Sequence, residues 1–311
     1  MKKQALIRLN IILLLTLSCA IAKSQENGQV QNSFETTFSM FREPSYITAL
    51  GGVGNIESLM FEADIVPYYM LSLNKNSRWG VELSPRIMLR MYNEDSYPVR
   101  TPSFMPRATF FFKVRESSSH QQDLFTYLSW CHHSNGQNGS FYNEDSVTIN
   151  TKTGNFSTNL IEGGIFFSHP DRKVPYTINY LKLSISYHYH QAPELRNIYG
   201  RWRFFSDFQS SANLSKVLRV FGRSANNPVN HNAFLSQSIR LGWIGGDIAN
   251  VGAIDAKRLV FRYTISFKPS FLNDVTLFVQ YYYGQDYYNI NFNRTLKVLR
   301  FGIAAKTSTF N

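Results

Sequence analysis

The chain has 311 residues, of which 43% are hydrophobic and 15% aromatic, with 18 Tyr and 25 Phe. That balance argues against a helical enzyme and for many short strands with aromatic faces. The formal net charge of +11 is spread singly, with no compact Lys/Arg run beyond the N-terminus, which argues against a nucleic-acid partner.

The first residues read as an export signal. Lys2, Lys3 and Arg8 precede the apolar run Ile11 to Leu15, followed by Ala20-Ile21-Ala22, a small-x-small cleavage site. Residues 1–22 are therefore expected to be a signal peptide, with cleavage after Ala22 or, second, after Ser24. Residues 23–33 form a short N-terminal segment, and 34–311 form the folded body. Cys131 is then the one cysteine left in the mature chain, so no intramolecular disulfide forms. No later segment has the eighteen or more continuous apolar residues of a membrane helix.

Strand-like runs follow one another near 34–50, 60–73, 78–91, 104–115, 123–134, 155–168, 176–190, 197–210, 231–244, 257–268, 273–285 and 294–306. Pro67, Pro85 and Pro106 fall inside three of them and blur their limits. The alternation is clearest where Leu181, Leu183, Ile185, Tyr187 and Tyr189 interleave with Lys182, Ser184, Ser186, His188 and His190. It recurs from Leu259 to Phe267 and from Val275 to Tyr283. Strict alternation over nine or ten residues marks a strand with one apolar and one polar face. A soluble sandwich would bury the apolar rows, whereas a barrel would turn them to lipid. The strand length matches a bilayer, the apolar rows end in Tyr or Phe, and the signal peptide supplies export. The expected fold is an all-β, transmembrane antiparallel β-barrel of about 12 strands in the bacterial outer membrane. The long polar stretches 92–101, 135–154 and 211–230, set against short links such as 269–273, read as the loop and turn asymmetry of such barrels.

Parity along 123–134 divides a polar cluster at the strand end. Leu124, Thr126, Leu128, Trp130, His132 and Ser134 share the lipid-facing row, while Phe125, Tyr127, Ser129, Cys131 and His133 face inward. His132 and Ser134 are therefore neighbours on the outer wall, an imidazole beside a hydroxyl, which is the minimum for nucleophilic catalysis with a general base. In the next strand Asn155 and Asn159 share that outer face. His133, His188 and His190 read as lumenal. The acidic runs at 93–96 and 143–146 read as solvated loops.

Three segments carry a resemblance to the outer membrane phospholipase A family. They are His132-His133-Ser134-Asn135-Gly136, residues 283–295 (YGQDYYNINFNRT) and residues 96–106 (SYPVRTPSFMP). The resemblance implies a twelve-stranded barrel with a Ser-His-Asn site on its outer wall, hydrolysing acyl esters of membrane phospholipids. It assigns Ser134 as nucleophile, His132 as base and Asn159 as the orienting amide, with Asn155 as the alternative. It implies an oxyanion donor in the backbone N–H of Gly136. It also implies a Ca2+ cofactor held by the Gln137 carbonyl and by Ser96 of a second subunit, hence a calcium-linked homodimer. The loop after Ser134 is about twice the family's length, so the hydroxyl ligand falls among Thr151, Thr153 and Ser157. The alternative reading is a porin-like or structural outer-membrane barrel without catalysis.

Overall fold

The computed structural model describes residues 41–311 apart from 72–76, 97, 116–122, 169–175, 214–232, 270, 273–274 and 306–311. The expected signal peptide, the segment 23–33 and the start of the first expected strand lie outside the described residues.

Thirteen strand segments form one antiparallel sheet. They are β1 (Ser45–Thr48), β2 (Leu59–Ile65), β3 (Tyr69–Leu71), β4 (Trp79–Tyr92), β5 (Ser103–Arg115), β6 (Asp123–Ser134) and β7 (Ser157–Ser168). The series continues with β8 (Tyr176–Gln191), β9 (Trp202–Asn213), β10 (Phe234–Gly245), β11 (Leu259–Lys268), β12 (Val275–Gln285) and β13 (Thr295–Ala305). β2 and β3 keep one register against β4, with Ile65 facing Ile87 and Tyr69 facing Leu83. They are a single strand interrupted around Pro67, which has no N–H to give to the ladder. Counted this way the sheet has 12 strands, and it closes at β1, whose four residues pair with β13 and two of which, Tyr46 and Ile47, pair with β2. Pro85 and Pro106 stand opposite each other in β4 and β5, so their missing donors fall at one level of the wall and both strands run through.

The two faces separate as the alternation demands. Leu128, Trp130, Ile161, Leu183, Phe204 and Phe301 are among a belt of exposed large side chains on the outer wall. The interior is packed with charge. The Arg90 guanidinium, 0% exposed, donates to Glu62 at 2.8 Å and to both oxygens of Asp286 at 2.9 and 2.8 Å. Lys182 lies 3.1 Å from Asp207, which also takes Arg240. Buried ions are tolerated only in such mutual pairing, and removing one partner costs about 3–5 kcal/mol. Near the start of β1 the chain itself enters the lumen. Phe41 packs edge-on against Phe111 and Tyr127, Arg42 donates to Glu82, and Glu43 meets Arg86, Arg240 and Arg262.

Strand direction sorts the connections. Residues 49–58, 93–102, 135–156, 192–201, 246–258 and 286–294 lie at one end. The start of β1 and the end of β13 lie at the other, with the ends of β9 and β11. The expected contrast between 211–230 and 269–273 therefore does not hold as one of opposite ends. Both join strands at the terminal end, because β9 and β10 pair from Asn213–Phe234 onward. Most of 211–230 falls outside the described residues.

Candidate active site

The site is built at the end of β6, where the barrel wall meets the long connection 135–156. In β6 Phe125, Tyr127, Ser129, Cys131 and His133 are buried, and Leu128 and Trp130 are exposed. His132 and Ser134 continue the outward row. The β6/β7 register places His132 directly opposite Asn159, and Ser134 opposite Ser157. His132 Nδ1 and Asn159 Oδ1 are 2.8 Å apart. An amide oxygen can only accept, so Nδ1 carries the proton and Nε2 keeps a free lone pair. Asn155 lies before β7, its backbone N–H donating to Gly139, and its Oδ1 is buried without a partner. Of the two amides on this face, Asn159 is the one that meets the imidazole.

Beyond Ser134 the chain turns sharply. Gly136 has φ +67°, a conformation that glycine adopts without steric cost. Asn135, 3% exposed, fixes the turn. Its Oδ1 accepts from the N–H groups of Gln137 and Phe156, and its Nδ2 donates to the Gly154 carbonyl. Phe141 and Phe156 pack with Leu195, Tyr199, Ile290 and Phe292, joining three connections into one apolar cap.

The three segments singled out in the sequence meet at this rim. The Tyr288 hydroxyl and the Asn289 amide donate to the Thr101 carbonyl, and the Gln137 amide bonds to the Thr101 hydroxyl. The expected calcium donors are less convergent. Gln137 and Thr151 line one small cleft, but Arg100 and Lys152 line it too, and no carboxylate does. The Thr153 hydroxyl is taken by Asn150. Ser157 lies in β7 opposite Ser134, and Ser96 is exposed in the β4–β5 connection. Among the described residues no group of three or more His, Cys, Asp or Glu side chains forms a metal cluster. Neutral oxygens beside two cations do not fit a calcium ion held by a single chain. In the 143–146 run, Asp145 is held below the usual carboxylate range by the Thr148 hydroxyl and the N–H groups of Val147 and Thr148. That carboxylate closes its own turn.

One expectation is reversed. His188 is buried, donating to or accepting from the Thr158 hydroxyl at 3.0 Å, but His190 is outside. The β7/β8 register slips between Asn159 and Leu160, pairing them with His190 and His188. Tyr189 is the extra residue of a β-bulge, so two successive side chains, Tyr189 and His190, both face outward. Asn159 Nδ2 lies 3.3 Å from His190 Nδ1. Trp130 Nε1 donates to the Tyr189 hydroxyl at 2.8 Å.

Outer membrane phospholipase A of Escherichia coli superposes with a TM-score of 0.52 at 12% identity, over 89% of this chain and 98% of that one. The fold is that of the outer membrane phospholipase A barrels. The calcium-bound dimer from Salmonella typhi matches with the same score and coverage at 13% identity. An active-site mutant of the E. coli enzyme does so at 11%. No family model matches the sequence, and no curated protein matches it. At these identities the likeness is one of fold.

Proposed function

We propose that the protein is an outer-membrane phospholipase that cleaves acyl esters of membrane phospholipids from the outer face of its barrel. The observation that carries this is the His132–Asn159 hydrogen bond, formed on the lipid-facing wall two residues from Ser134. Asn159 holds the proton on Nδ1 and leaves Nε2 to take the proton of Ser134. The Ser134 oxygen attacks the ester carbonyl, His132 returns the proton to the departing alcohol, and water then releases the fatty acid by the same route. The Gly136 N–H, presented by its left-handed turn, is the candidate donor to the oxyanion. A site on the outer wall suits a substrate that arrives laterally through the bilayer.

The non-catalytic channel is the less favoured reading, because the described lumen is occupied by paired charges and by Phe41 to Glu43. The deciding experiment is hydrolysis of phospholipid by the purified full chain in detergent, beside Ser134→Ala. Release of fatty acid by the first and its loss in the second is expected. Equal release by both removes the assignment. The calcium implied by a site shared with a second subunit is tested with EDTA: loss of hydrolysis restored by added calcium supports the ion, and activity that survives EDTA removes it.

A further inference from the structure

The bulge in β8 supplies a residue that the Ser-His-Asn reading does not use. Asn159 is held at both ends of its amide, Oδ1 by His132 at 2.8 Å and Nδ2 by His190 at 3.3 Å. An amide is nearly symmetric in shape, so its neighbours decide which end points where. Turned over, it would offer N–H to His132 Nδ1, force the proton onto Nε2 and leave nothing to accept from Ser134.

We infer that His190 is a positioning residue of this site, whose Nδ1 accepts from Asn159 and so selects the proton position on His132. The inference rests on the proposed roles of His132 and Ser134. The wall supports the arrangement mechanically. The same bulge turns Tyr189 outward, where its hydroxyl takes the indole N–H of Trp130. β8 is thereby tied to β6 across β7 immediately beside the amide. Without the extra residue, His190 and Tyr189 would not be consecutive on one face.

The test separates this inference from the catalytic reading. His190→Leu removes the acceptor, and His190→Asn retains an acceptor near the position of Nδ1. The imidazole nitrogens of the full chain, labelled with nitrogen-15 in detergent micelles, report which nitrogen of His132 is protonated. Nδ1–H is expected in the unsubstituted protein, a shift toward Nε2–H in His190→Leu, and restoration in His190→Asn. Turnover of phospholipid should follow, with kcat down roughly tenfold for Leu, the equivalent of one hydrogen bond, and KM little changed. Recovery in the Asn variant distinguishes positioning from packing. An Nε2–H tautomer in the unsubstituted protein, or a His132 tautomer indifferent to His190→Leu, overturns the inference whatever the rates. A tautomer that responds in a protein without hydrolysis sustains the clamp and removes the Ser134 reading instead.

Discussion

At the scale of single residues, the outer wall distinguishes side chains that composition cannot. Asn155 and Asn159 share a face in the sequence, yet only Asn159 reaches an imidazole, because only it is the β-ladder partner of His132. Asn159→Ala is therefore expected to lower kcat for phospholipid roughly ten- to hundredfold, the usual penalty for losing an orienting partner. Asn155→Ala, which removes an oxygen that already lacks a partner, should leave kcat within about twofold. A steady-state comparison of the two checks the pair, and equal losses would break the assignment. That His132, Ser134 and Asn159 share the outer face was legible, because a strand sends every second residue the same way. His190 was not, because nothing in Tyr187-His188-Tyr189-His190 marks the extra residue. Tyr and His alternate through the bulge as evenly as they would without it.

At the scale of elements, the turn that opens the connection 135–156 is fixed by the Asn135 side chain. Asn135 satisfies the buried N–H of Phe156, the part-buried N–H of Gln137 and the buried Gly154 carbonyl, and replacing it with alanine leaves all three without that partner. A local loss of about 2–4 kcal/mol is expected, since each unmet buried group costs about 1–3 kcal/mol and the turn relaxes in part. Hydrogen exchange should accelerate at the Gln137 and Phe156 amides while the strand amides of β6 keep their protection. If those two amides are unaffected, Asn135 is not the staple. Sequence marked this asparagine only as part of a five-residue block, since its partners lie on both sides of a turn that alternation does not describe. Element limits were read well where the strands alternate strictly, as in β8, β11 and β12. They were read less well where a proline or a turn intervenes. The expected strand at 197–210 begins instead at Trp202, after a 3-10 turn at Pro193–Leu195 and the left-handed Asn197 and Gly200.

At the scale of the whole molecule, the alternation of polar residues predicted a lumen without saying whether it is open. Pairing decides that, and pairing joins residues far apart in the chain, as Arg90 with Asp286 and Glu43 with Arg262. A lumen filled in this way should pass no steady ionic current. In a planar bilayer the folded protein is expected to be silent, and a stable conductance would show that the described ion pairs leave a path beside them.

The closing pair of the barrel rests on very little chain. β1 contributes four residues to its pairing with β13 and meets β2 at only two positions, whereas β10 and β11 share ten and β12 and β13 share eleven. Gly302 at this seam lies so near Ile47 that a Cβ would fall 2.1 Å from the Ile47 carbonyl oxygen. Few bonds and no tolerance for bulk make this a narrow and exacting seam. Phe41, Arg42 and Glu43 precede β1 and sit inside the wall it completes. The segment that fills the lumen and the strand that closes the wall are therefore one continuous stretch of chain.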